Sequence, residues 1–98
     1  MKLLEKRESH EVCTEAGWMA LDYVFDKSVE QALIEGLRPL GDFLYLRGLK
    51  EPFFKSEGHH RLIKGIQGQC FFRVAVHMAH KEEWQEVDDL IDNLLNEQ

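Results

Sequence analysis

Between Gln69 and Met78 the chain reads QCFFRVAVHM, and its strict alternation constrains the fold more than any other stretch. Side chains two apart in a strand share a face, so Cys70, Phe72, Val74, Val76 and Met78 fall on one side and Phe71, Arg73, Ala75 and His77 on the other. The first set is apolar throughout and predicts a core face, with Cys70 as a small buried hydrophobe. The second set carries a ring, a guanidinium, a methyl and an imidazole. It is too polar for a deep core and too apolar for an ordinary solvated surface. Such a strand needs a sheet packed on one side and available for contact on the other.

The flanking sequence supplies the rest of that sheet. Gln67-Gly68 predicts a tight turn, since glycine tolerates the positive φ that hairpins demand, and His60–Ile66 predicts the preceding strand. Phe43–Leu49 reads as another, with Leu44 and Leu46 inward and Phe43, Tyr45 and Arg47 on the opposite face; Phe53 and Phe54 resume it after Pro52. These three strands form an antiparallel meander. Upstream, Trp18–Phe25 alternates with Met19, Leu21, Tyr23 and Phe25 on one face and Asp22 on the other. Ser28 to Gln31 fits a capping box opening a helix, with Val29, Ala32, Leu33, Gly36 and Leu37 as its buried stripe. Gly36 on that stripe predicts close approach to the sheet, and Pro39 ends the helix. From about His80 to Asn96, Trp84, Val87, Leu90, Ile91, Leu94 and Leu95 draw an apolar stripe at helical period.

The order is therefore β-α-β-β-β-α, an α+β open sandwich: a mainly antiparallel sheet with two helices on one face. This order resembles the split βαβ pattern of ferredoxin-like folds but lacks a final strand after the second helix. Residues 1–15, read as a tail or edge strand, or a strand from another copy of the chain, fit that edge. Residues 16–98 make one domain, a size that buries a core without staples.

Charge is unevenly distributed. The net −6 resides entirely in His80–Gln98, which holds seven acids against Lys81, whereas Phe43–Ala79 holds six cations against two acids. An acidic helix on a mildly basic body gives a two-sided field, and the helix offers a docking face for a basic protein partner. No apolar run approaches a membrane span and the N-terminus turns polar after Leu4, so the expected location is cytoplasmic, with Cys13 and Cys70 as free thiols.

Chemistry-bearing residues form three candidate groups. Tyr45, Arg47, Phe71, Arg73 and His77 are assigned to the uncovered sheet face as partner- or ligand-binding residues, because exposed rings on one patch mark a contact surface. Self-association through that face or a sheet edge stands first. Single-strand nucleic acid stands last, because K64-G-I-Q-G68 lacks the ring and glycine of an RNA-recognition run and the acidic helix repels a polyanion. His77, His80 and Glu83 could contribute metal ligands, but no H-E-x-x-H or cysteine pair accompanies them, so solvated or capping histidines are the plainer reading and no cofactor is expected. No nucleophile motif, P-loop or dinucleotide-binding glycine set is present. Were the chain an enzyme, His77 and Asp22 would be its acid-base pair; the sequence favours a non-enzymatic binding or regulatory module.

Overall fold

In the computed structural model, which describes residues 1–8 and 17–97, the chain forms an α+β fold with a six-stranded antiparallel sheet. The strands are β1 (Leu3–Glu8), β2 (Trp18–Phe25), β3 (Asp42–Leu46), β4 (Phe53–Glu57), β5 (Arg61–Ile66) and β6 (Phe71–His77). Helix α1 (Gln31–Gly36) follows β2, and α2 (Glu83–Asn96) follows β6. Across the sheet the order is β1-β2-β6-β5-β4-β3, so β2, early in the chain, lies beside β6, near its end. Two strands join the expected order. Leu3–Glu8 is an edge strand on β2, and Phe53–Glu57 is a strand in its own right, because the chain reverses over residues 47–52 and Phe53 pairs back onto Leu46. His10 and Cys13 lie outside the described residues. No helix among the described residues is long and apolar enough to cross a membrane.

The core is one cluster. Tyr23, Phe25, Phe54, Ile63, Phe72, Val74 and Val76 point from the sheet into it, met by Leu33, Ile34 and Leu37 near α1 and by Val87 and Ile91 of α2. Gly65 explains its own presence in β5: a Cβ there would lie 2.8 Å from Phe54 Cζ and 2.9 Å from Phe72 Cβ, so glycine leaves room for those rings to meet edge to face. Buried Ser56 donates to the Leu37 carbonyl at 3.1 Å, and Arg61 Nε donates to that of Leu40 at 2.7 Å, fastening the exit of α1 to the sheet.

Several local expectations are corrected. Ser28 does not cap α1: its hydroxyl donates to Glu30 Oε1, and the helix begins at Gln31 without a side-chain cap. Ala32 faces solvent, and Ile34 takes a buried place that the stripe omitted. A Cβ at Gly36 would lie 2.4 Å from Leu94 Cδ2, so the close approach it permits is to α2 rather than to the sheet.

Cys70 is exposed, not core. Residues 68–70 bend before β6 begins, because the Gln69 and Cys70 carbonyls accept from the N–H groups of Val29 and Phe25, both at 2.7 Å. Met78 is 50% exposed because the chain leaves the sheet at His77, whose Nδ1 accepts from the Ala79 N–H and opens a single 3-10 turn, Met78–His80.

Strand β3 faces opposite to expectation. Phe43 and Tyr45 pack against the core, Tyr45 OH donating to Gln67 Oε1, while Leu44 and Leu46 are 40% and 41% exposed on the far side. Both faces of F-L-Y-L are apolar, so alternation leaves the facing undetermined, and two rings bury more area than two leucines.

Candidate functional site

The sheet face turned away from the core is organised in rows that the strand registers fix. One row is apolar, with Val24 opposite Phe71 and Leu46 opposite Phe53, which itself faces Ile66. The next is charged: Arg7 opposite Asp22, Asp22 opposite Arg73, Arg73 opposite Lys64, Lys64 opposite Lys55, and Lys55 opposite Leu44. The third is mostly small or acidic, running through Ala20, Ala75, Leu62, Glu57 and Asp42. Neither α1 nor α2 packs on this face.

The charged row places Lys55, Lys64 and Arg73 directly opposite one another on three adjacent strands. Like charges in that relation repel across the ladder, a cost that neighbouring anions offset. Acids at its ends soften the cost: Arg73 Nε lies 3.3 Å from Oδ1 of buried Asp22, and Lys55 Nζ lies 3.5 Å from Glu57. Between this band and the apolar row is a hollow of about 210 Å³ lined by Phe53, Lys64, Gly65, Ile66, Gln69, Phe71 and Arg73. Half-buried rings beside a run of cations make a surface that favours a partner both anionic and apolar.

The residues assigned to this face divide. Phe71, Arg73 and His77 lie on it, the first two at the hollow. Tyr45 and Arg47 do not: Tyr45 faces the core, and Arg47 Nη2 donates to Gln31 Oε1 of α1 at 3.1 Å, its guanidinium 5.6 Å from the Tyr45 ring. Reading by alternation missed Phe53, Lys55, Lys64 and Ile66. The signal that could have found them is the run of Lys55, Lys64 and Arg73, which becomes one band only when the meander's register is known.

Asp22 and His77 share this face but not a site. Asp22 sits opposite Arg73 and His77 opposite Trp18, with a spacing along β2 of four residues, roughly 13 Å.

At one end of the sheet the histidines gather. His60 in the β4–β5 turn is held beside the end of β6 by a 2.9 Å bond from the His77 N–H to its carbonyl. Its ring stacks on His80, with centroids 3.6 Å apart and planes 10° from parallel, while His77 stands 6.3 Å from His60 and 5.9 Å from His80. Donor atoms of His60, His80 and Glu83 all lie within 4.8 Å of one another. Of the residues read as metal ligands, the structure brings together His80 and Glu83 and exchanges His77 for His60.

Compared with protein-family models, with curated proteins and with solved structures, the chain has no match in any of the three.

A third polar centre joins β1, β2 and α2. Tyr23 OH donates to Asp88 Oδ1 at 2.6 Å, and Lys6 Nζ pairs with Asp88 Oδ2 at 2.9 Å while lying 5.0 Å from the Tyr23 ring. Burial, and then the Asp88 hydrogen bond, push the phenol far above its ordinary pKa, so it is a structural donor and cannot serve as a base near neutrality. A hollow of about 390 Å³ beside the start of α1, between Met1, Lys27, Ser28, Glu30, Ala32 and Leu33, brings together no ring or imidazole among the described residues.

Proposed function

We propose that the protein is a non-catalytic binding module whose sheet face seats an acidic, partly apolar segment of a partner protein. The observation that carries this reading is the direct alignment of Lys55, Lys64 and Arg73 across β4, β5 and β6, beside the row of Phe53, Ile66 and Phe71. A carboxylate over the band accepts charge-assisted hydrogen bonds from its ammonium and guanidinium groups, and aliphatic or aromatic side chains next to it cover the half-buried rings. The same charge argues against a second copy docking with its cations over the first copy's. The aliphatic share of the face, Leu44, Leu46 and Ile66, favours protein over single-stranded nucleic acid, which needs stacking platforms.

A basic partner at α2 has less to hold. Glu86 and Asp88 are engaged by Arg61, Lys6 and Tyr23, leaving Asp89 and Asp92 as the exposed acids of α2 outside these ion pairs.

The test is fluorescence anisotropy with a labelled peptide of alternating glutamate and leucine, alongside a single-stranded oligonucleotide and sedimentation of the protein alone. Saturable peptide binding is expected, weakened at least tenfold by Phe71→Ala and by Lys64→Glu and reduced by salt. Tighter oligonucleotide binding, or a dimer dissolved by Phe71→Ala, would identify the occupant as nucleic acid or a second copy and overturn the reading.

A further inference from the structure

We propose that His60, His80 and Glu83 bind a divalent transition-metal ion of the zinc class, at a site independent of the sheet-face cleft. Two imidazoles and a carboxylate form a borderline nitrogen-oxygen donor set, suited to zinc and its neighbours rather than to magnesium or calcium, which prefer oxygen alone. Their donor atoms lie within 4.8 Å of one another. A tetrahedral zinc with bonds of 2.0–2.1 Å needs separations of about 3.4 Å, so the side chains must close by little more than 1 Å. The stacked rings have to swing apart for their lone pairs to converge, a rotation open to half-buried side chains in a turn and at a helix start.

Neighbouring groups fit that role. His80 Nδ1 lies 3.3 Å from Glu82 Oε1, and an Nδ1–H donating to that carboxylate leaves Nε2 with its lone pair for a metal. Glu83 turns Oε1 toward Arg61 at 3.5 Å, whereas its Oε2 is buried with no hydrogen-bond partner among the described residues. A buried carboxylate oxygen without a donor is costly, and a bound cation removes the cost. Arg61 does not cancel the field, because Glu86 holds its guanidinium at 2.6 Å. Glu82, Glu83 and Glu86 thus stand against one guanidinium around two imidazoles that are neutral when they bind metal. His77 is excluded from the ligand set because its Nδ1 is taken by the Ala79 N–H and its Nε2 faces Gly17. Three protein ligands leave a fourth position for water or a partner's side chain.

Native mass spectrometry and calorimetric zinc titration of the full chain, with any affinity tag removed, test the site. One zinc per chain is expected, with affinity lowered at least tenfold by His60→Ala, by His80→Ala and by Glu83→Gln, and unchanged by His77→Ala and His59→Ala. Imidazole NMR signals of the wild-type protein follow His60 and His80 without any variant, and both should shift on saturation. Absence of a one-to-one complex at micromolar zinc overturns the proposal. So does binding that survives His60→Ala and His80→Ala, or that His77→Ala abolishes.

Discussion

Tyr23 shows how much of the fold hangs on single polar contacts. Its phenol is the buried end of a chain running through Asp88 to Lys6, and so ties the edge strand and α2 to the centre of the sheet. A hydrogen bond to a charged partner contributes about 1.5–3 kcal/mol, and Tyr23→Phe should destabilise the protein by that order at neutral pH. The folded phenol's pKa is raised above the ordinary value of 10.0. Below that value neither state ionises the phenol and the stabilisation is complete; above it the unfolded chain ionises first and the stabilisation erodes. Denaturant titrations of wild type and Tyr23→Phe should therefore converge as pH rises above 10, and a constant gap would refute the assignment. Cys70 illustrates the opposite case. Its place in the alternation marked it as core, yet the backbone around it is spent on bonds to Phe25 and Val29, a long-range demand invisible to periodicity.

Among the elements, β2 and α2 were legible because each is long and has one apolar side. Trp18–Phe25 has the bounds that alternation gives, and Val87 and Ile91 anchor the stripe read for the C-terminal helix. Helix α1, β3 and β4 were harder, each for a physical reason. In β3 both faces are apolar; in β4 the proline obscured a strand that its neighbours stabilise; and α1 is only six residues long, held by packing rather than by a cap. Two serines measure the difference. Ser56→Ala removes the bond to Leu37 O from a fully buried position and should cost roughly 1–3 kcal/mol. Ser28→Ala should change stability by no more than about 0.5 kcal/mol, whereas a capping serine would cost about 1. Urea denaturation ranks the two, and the reverse order would reinstate the capping box. Of the candidate face, Phe71, Arg73 and His77 were readable from one strand, whereas the cation band needed the pairing of three.

For the molecule as a whole, the two-sided charge read from the sequence gains an internal anchor. Glu86 is not merely a solvated acid of α2, since it lies 2.6 Å from the mostly buried guanidinium of Arg61. Glu86→Lys should lower Tm by about 4–8 °C, equivalent to roughly 1 kcal/mol in a domain this size, while Asp92→Lys should leave it nearly unchanged; thermal melts by circular dichroism decide. Two strands far apart in sequence also meet inside the sheet, where β2 is zipped to β6. The hairpin β1–β2 and the meander β3–β6 are each local in sequence, but the seam joining them is not, and non-local pairing is slow because loop closure precedes any gain from contact. During synthesis the hairpin must therefore wait, with one long edge of β2 unpaired, until β6 has left the ribosome. That interval, rather than the finished fold, is when the chain is most exposed to pairing with the wrong neighbour.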